Sequence, residues 1–272
     1  MQNNNCKIPK VIHLTWFSGD EFPPILAKCI QSWKDLLPDY TIKVWNMDMA
    51  KAVGITYVDE ALKLRKWAFA GDVVRAYALY TEGGVYMDTD VFVKRRFDEF
   101  MNFDFVSFLS YHPDSLNLAK IDENGDRKDK NMVVNGIGIN IAFMAAVKGN
   151  VYLEKVVNFY KTIHFDLGNG SFRQDAIGPD YYAWIAEEMG FKYLDKFQIL
   201  EGNIAFYPSL YFGTYDQSTF AVHLASHSWV DNSFRGRIKE FCIKKVKSVL
   251  SYLNLYKRDE RHLEYYKYVP KR

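Results

Sequence analysis

Between Lys66 and Val93 a helical run, KWAFAGDVVRAYALYTE, meets Gly83-Gly84 and passes directly into an apolar stretch, VYMDTDVFV. A glycine pair stops a helix, and a short apolar run bounded by such a stop reads as a buried strand. The same alternation recurs along the chain. KVIHLTWF (Lys10 to Phe17), TIKVWN (Thr41 to Asn46), FDFVSFLSY (Phe103 to Tyr111) and GINIAFMAAV (Gly138 to Val147) read as strands. Ile25 to Leu37, begun by Pro23-Pro24 and stopped by Pro38, reads as a helix, as does Val151 to His164. Strands alternating with helices predict an α/β domain with a mostly parallel central sheet. The charged segment from Asp114 to Asn131, with Asn124-Gly125 at its centre, reads as a mobile loop.

Asp88 and Asp90 are out of place in a run that otherwise reads as a buried strand. An unpaired buried carboxylate costs several kcal/mol, and two close together also repel. On an extended strand Tyr86, Asp88 and Asp90 share parity and project to one side, where two carboxylates make a site for a hard divalent cation, Mn²⁺ or Mg²⁺. Such an ion keeps open positions that phosphate oxygens can fill. In open α/β sheets ligands bind at the carboxyl ends of strands, which is where this pair stands. Upstream, Asp72 and Arg75 share a helix face at i and i+3. Such a pair is ordinarily a surface ion pair, but this helix is otherwise apolar, so these charges are expected to meet the same site. Gly83-Gly84 is expected to let backbone come close to a bulky ligand.

The full spacing is Gly71-Asp72-x-x-Arg75, then Tyr80-x-x-Gly83-Gly84-x-Tyr86-x-Asp88-x-Asp90. It resembles the sugar-binding region of glycosyltransferase family 32, which includes yeast-type mannosyltransferases and bacterial capsular polysaccharide enzymes and whose donor site is similar to that of the clostridial glucosylating toxins. The resemblance extends to IPKVIHLTW (Ile8 to Trp16), NIAFMAAVKGN (Asn140 to Asn150), IGPD (Ile177 to Asp180) and HLASHSW (His223 to Trp229). His227 and Ile177 depart from the family pattern and are expected to reshape the acceptor pocket. The resemblance implies a retaining, metal-dependent transferase of the GT-A fold. Its donor would be a nucleotide sugar, UDP-linked in preference to GDP-linked, and its acceptor a glycan or lipid-linked glycan in surface polysaccharide synthesis. Carried over, Asp90 ligates the metal, Asp88 contacts ribose, sugar or metal, and His223 is a third ligand. Asp72 and Arg75 hold sugar hydroxyls, with Arg75 also near the phosphates. Trp16 stacks on the base, and Ser228 and Trp229 lie near the diphosphate.

Several residues keep a plainer reading beside the functional one. Trp16 is either the base platform or a core aromatic at a strand end. Asn140 hydrogen-bonds either backbone or sugar, because an unpaired amide is costly on a buried strand. Asp180 reads as a first-turn helix acid, and His13 and His164 as structural. Asp-x-Asp after an apolar strand also opens some phosphohydrolases, but the position four residues after Asp88 is Phe92, where they want Thr or Val. A non-catalytic sugar-nucleotide-binding protein is the remaining alternative.

The net charge of +2 conceals an asymmetry. Residues 235–272 hold 12 Lys or Arg against 4 Asp or Glu, while the other 234 residues hold 23 against 29. The chain therefore divides into a transferase domain at 1–234 and a basic amphipathic helical tail at 235–272. The tail either packs on the body or lies on an anionic membrane surface. Nucleic acid comes a poor third and is not expected as a partner, because no recognition fold accompanies the charge. The three cysteines lack metal or redox spacing, MQNNNCKIPK lacks the apolar stretch of a signal peptide, and no uncharged run reaches the ~20 apolar residues of a spanning helix. These readings predict a cytoplasmic protein, peripheral at the inner face of the membrane if the tail binds lipid.

Overall fold

The computed structural model describes residues 8–113, 116–213 and 219–224. Ser228, Trp229, His227 and the 235–272 tail lie outside the described residues. A seven-stranded sheet is built from β1 (Val11–Thr15), β2 (Thr41–Trp45), β3 (Gly84–Met87), β5 (Phe105–Tyr111), β6 (Ile137–Ala146), β9 (Gln198–Leu200) and β10 (Ile204–Tyr207), in the order β2-β1-β3-β6-β5-β10-β9. The pairs β1–β2, β1–β3 and β10–β5 are parallel. β6 runs against both its neighbours and β9 runs against β10, so five of the seven strands share one direction. The α/β class and the dominant parallel direction are as the sequence predicts.

Two apolar layers sandwich the sheet, because successive strand side chains point to opposite faces. Val85 and Met87 join Trp33 of helix α1 (Pro24–Leu36) on one face. Tyr86 joins α3 (Thr56–Lys63), α4 (Trp67–Glu82), α5 (Val151–Thr162) and α6 (Gly178–Glu187) on the other. The short helix α2 (Met47–Lys51) follows β2, with Asn46 accepting from the Met49 N–H as its cap. α1 begins at Pro24, whose missing N–H is no loss in a first turn. Asn150 caps α5 by accepting from the Tyr152 and Leu153 N–H groups.

Two expectations need correction. The strand expected at Val85–Val93 is two strands: β3 stops at Met87, residues 88–90 turn, and β4 (Val91–Val93) leaves the sheet to pair with β11 (Ala221–His223). The turn is closed by the Val91 N–H on the Asp88 carbonyl at 3.0 Å, a geometry that aspartate favours because its side chain competes for nearby backbone. Gly83 and Gly84, in turn, make their close approach to protein backbone. They stand at the amino end of β3 with φ of 71° and 110°, and a Cβ on Gly84 would meet the Val11 carbonyl at 2.6 Å.

The charged segment before β6 is a loop, and it is tied down at several points. Ile121 is buried, the Tyr193 N–H reaches the Gly125 carbonyl at 2.8 Å, and Lys192 pairs with Asp126 at 2.6 Å. A second small hairpin, β7 (Asp166–Gly168) with β8 (Ser171–Phe172), links α5 to α6.

Candidate active site

The carboxyl ends of β1 and β3 lie side by side, since the two strands are parallel with His13 opposite Tyr86. Asp88 is the first residue beyond β3, and its N–H donates to the Ala142 carbonyl at 2.9 Å. The acceptor lies at a bulge, where β6 slips register against β5 between Ser107 and Phe108. The bulge also turns the Ile141 carbonyl toward Arg75 and is held by the Ser107 hydroxyl, which donates to the Asn140 and Phe143 carbonyls.

β11 completes the site from the far end of the described chain. His223 stands opposite Val91, and the Leu224 N–H donates to the Asp90 carbonyl at 3.0 Å. One donor atom each from Asp88, Asp90 and His223 falls within 4.8 Å of the others. His223 Nε2 is 3.2 Å from Asp90 Oδ1 and 3.9 Å from Asp88 Oδ2. Burial works against a charged His223, but hydrogen bonding to Asp90 and the charges of Asp90 and Asp88 outweigh it and raise its pKa. The pair of carboxylates thus calls for positive charge at the point where three oxygen and nitrogen donors converge. That donor set suits Mn²⁺ or Mg²⁺.

The other oxygen of Asp88 is already engaged. Oδ1 accepts from the Tyr86 hydroxyl at 2.9 Å and pairs with Arg75 Nη1 at 3.2 Å. The Tyr86 hydroxyl is also 3.0 Å from Thr15 Oγ1, and the Arg75 guanidinium lies 4.8 Å above the Tyr86 ring. Arg75 is only 7% exposed and is spent on the protein: Nε on the Gly71 carbonyl, Nη1 on the Ile141 carbonyl, Nη2 on Asp72 at 3.1 Å. Burial opposes its charge, but Asp88, Tyr86 and Asp72 more than offset that, so it stays protonated. Asp72 is pushed up to about 7, chiefly by burial and further by Asp88, with Arg75 and the Gly178 N–H pulling the other way.

The fold therefore brings together Asp72, Arg75, Tyr86, Asp88, Asp90 and His223. Tyr86 is buried and meets the site through its hydroxyl, on Asp88, and its ring, under Arg75. Asn140 Oδ1 accepts from the Ala142 N–H at 2.9 Å, while its Nδ2 and the His223 side chain both flank Gly213. Trp16 is half-buried at the end of β1, with its indole N–H on the Asp20 carbonyl at 2.7 Å and its ring against Phe22. Asp180 reaches back to the Ile177 N–H at 3.0 Å, as a first-turn acid does. His13 is fully buried between the Trp45 indole and the Gly83 carbonyl, and His164 pairs with Glu60. Thr15, Ser107 and Gly178 support the site without having been singled out for it. Thr15 and Gly178 lie within the stretches IPKVIHLTW and IGPD, but their contacts, like those of Ser107, are made with residues distant in sequence and leave no local signal.

Residues 23–107 match the family model described as the glycosyltransferase sugar-binding region containing the DXD motif. This is the class that the Asp72 to Asp90 spacing resembles, and the match carries the aspartate pair within it. Among curated proteins, the chain is similar to inositol phosphoceramide mannosyltransferase 3 of Schizosaccharomyces pombe, 31% identical over 105 residues, which is 37% of this chain and 29% of that protein. Inositol phosphoceramide mannosyltransferase 2 of the same organism is 33% identical over 98 residues, 35% of this chain and 28% of that one. The chain thus spans less than a third of the length of these relatives. Among solved structures, PaToxG glycosyltransferase aligns with a TM-score of 0.45 at 16% identity, over 66% of this chain and 69% of that one.

Proposed function

We propose that this protein is a retaining, metal-dependent glycosyltransferase. It moves a sugar from a nucleotide sugar, UDP-linked in preference to GDP-linked, onto a glycan or lipid-linked glycan in surface polysaccharide synthesis. The observation that carries this reading is the division of labour at Asp88, with Oδ1 tied to Tyr86 and Arg75 and Oδ2 3.9 Å from His223 Nε2, in a cluster that also holds Asp90. Asp88, Asp90 and His223 would hold Mn²⁺ or Mg²⁺, which would supply positive charge to neutralise a diphosphate leaving group.

Arg75 acts mainly by fixing Asp88 and Asp72, and Asp72 with Arg75 forms the sugar's side of the site. Trp16 offers a half-exposed indole at the carboxyl end of β1, beside the strand that delivers Asp88, and serves as the base platform. Ser228 and Trp229 are assigned to the diphosphate on the resemblance alone. Among the described residues no helix is long and apolar enough to cross a membrane. A cytoplasmic protein peripheral to the membrane is the placement this function needs for a lipid-linked acceptor.

A panel of UDP- and GDP-sugars, assayed for donor hydrolysis and for transfer with Mn²⁺ and with excess chelator, tests the reading. Turnover of one UDP-sugar that is abolished by chelator supports it. Absence of turnover across the panel, with nucleotide still bound, would mean a binding protein. Release of phosphate from simple phosphomonoesters would mean a phosphohydrolase.

A further inference from the structure

We infer that the corner between α3 and α4 is a docking site for an anionic lipid surface. The corner is the run Lys63-Leu64-Arg65-Lys66-Trp67, which holds three cations and no acid. Lys63 and Arg65 are exposed, and so are the apolar Leu64 (39%) and Trp67 (38%). None of the three cations is in an ion pair among the described residues. Lys66 Nζ lies 4.7 Å over the Phe172 ring, which sets the corner beside the β7–β8 hairpin, where Leu167 is 52% exposed.

The corner is rigidly shaped. The Arg65 N–H donates to the Leu62 carbonyl and the Lys66 N–H to the Ala61 carbonyl, a helix-ending motif that puts Arg65 at φ 55°. That left-handed position favours glycine, yet an arginine occupies it. A membrane interface accounts for each part of this composition. Tryptophan sits at headgroup level, leucine reaches the acyl boundary, and Lys and Arg meet lipid phosphates while their stems lie along apolar surface. A protein partner fits less well, since the cores of protein interfaces are depleted in lysine.

The corner also lies at the working end of the domain. Trp67 begins α4 and Asp72 is five residues further on, about 7.5 Å along the helix axis. A lipid surface met at Trp67 therefore lies close to the proposed sugar site. Lipid binding at the corner stands or falls independently of catalysis, and it is distinct from any binding by the 235–272 tail.

The test is co-sedimentation of the full chain with phosphatidylcholine vesicles, with and without phosphatidylglycerol. The comparison is between Lys63→Glu/Arg65→Glu and a charge-matched control, Lys28→Glu/Lys34→Glu, on the exposed side of α1. The corner variant is expected to lose at least about tenfold in partition onto phosphatidylglycerol vesicles, and the control less than about twofold. A second variant, Leu64→Ser/Trp67→Ser, removes no charge and is expected to weaken binding at both low and high salt; melting temperatures confirm that each variant is folded. Equal losses for corner and control overturn the inference, because net charge or the tail then does the binding. So does an intact chain that ignores phosphatidylglycerol. A corner variant that changes oligomeric mass without changing vesicle binding also overturns it, in favour of a second copy as the occupant.

Discussion

The Tyr86 hydroxyl donates to Asp88 Oδ1 at 2.9 Å, and Arg75 approaches the same oxygen at 3.2 Å. Two residues apart on one face of β3, Tyr86 and Asp88 would sit parallel on a continuing strand. After the turn that follows Met87, one carboxylate oxygen stays with the tyrosine and the other lies 3.9 Å from His223 Nε2. An oxygen already satisfied by two donors is a poor metal ligand, so Asp88 offers its remaining oxygen in a single fixed orientation.

Tyr86→Phe removes that hydroxyl from a buried network and frees Asp88 to rotate. Hydrogen bonds to charged groups contribute about 1.5–3 kcal/mol, so Mn²⁺ affinity should fall roughly 10- to 100-fold. Calorimetric titration of the folded variant with Mn²⁺ is the measurement. Unchanged affinity would show that Asp88 needs no tether, or that it is no ligand.

Asp90→Asn should lower nucleotide-sugar turnover at least ~10²-fold, a loss of roughly 3 kcal/mol of charge stabilisation. Folding should survive, because the variant relieves repulsion between two nearby carboxylates. Near-normal turnover, or full activity of the intact enzyme in excess chelator, would remove the metal from the mechanism.

Gly178→Ala probes the contact between α6 and the site. The added methyl would stand 2.6 Å from both Asp72 Oδ2 and Ile141 Cδ1, closer than such atoms can approach. Overpacking of this kind costs about 1–3 kcal/mol. A clear fall in melting temperature with weakened donor binding is expected. An unaltered melting temperature would mean that α6 can step back without cost.

His13 gives a pH dependence that is separate from catalysis. Its Nδ1 accepts from the Trp45 indole at 3.0 Å, so Nε2 carries the proton that goes to the Gly83 carbonyl at 2.9 Å. Burial lowers its pKa below the ordinary 6.5, against a smaller opposing effect of the Gly83 hydrogen bond. Below about pH 6.5 the unfolded chain therefore binds more protons than the fold, and this share of stability is lost as pH falls. One such group contributes a slope of at most about 1.4 kcal/mol per pH unit. Urea unfolding between neutral and mildly acidic pH should show a steeper loss for the wild type than for His13→Gln. Parallel slopes would contradict the buried neutral imidazole.

Trp16→Ala separates a base platform from a core residue. The half-buried indole predicts a UDP affinity roughly 10- to 100-fold weaker, from the ~1–3 kcal/mol that base stacking contributes, with metal dependence retained. Melting temperature and UDP affinity are read on the same sample. A large drop in the first with no change in the second would make Trp16 a core residue.

Much of this was legible along the chain because its signals are local. Helix stops at Gly83, the proline start of α1 and the strand-like apolar runs depend on neighbours a few residues apart, and they define an α/β fold. The aspartate pair advertised itself by the cost of placing charge in an apolar run, and with Asp72 and Arg75 it carries the resemblance to the sugar-binding region that residues 23–107 match. The path of the chain beyond Met87 was different. Strand or turn there depends on whether a partner strand awaits, and β11 arrives from about 130 residues away to pair with β4. The same holds for which Asp88 oxygen lies toward His223, for the Thr15 hydroxyl against that of Tyr86, and for Gly178 against Asp72. Residue types and short-range spacing were enough to point to a sugar-binding site built on an aspartate pair. Which atoms are free to perform it was decided by packing, because a buried donor or acceptor must find its partner wherever the fold brings one.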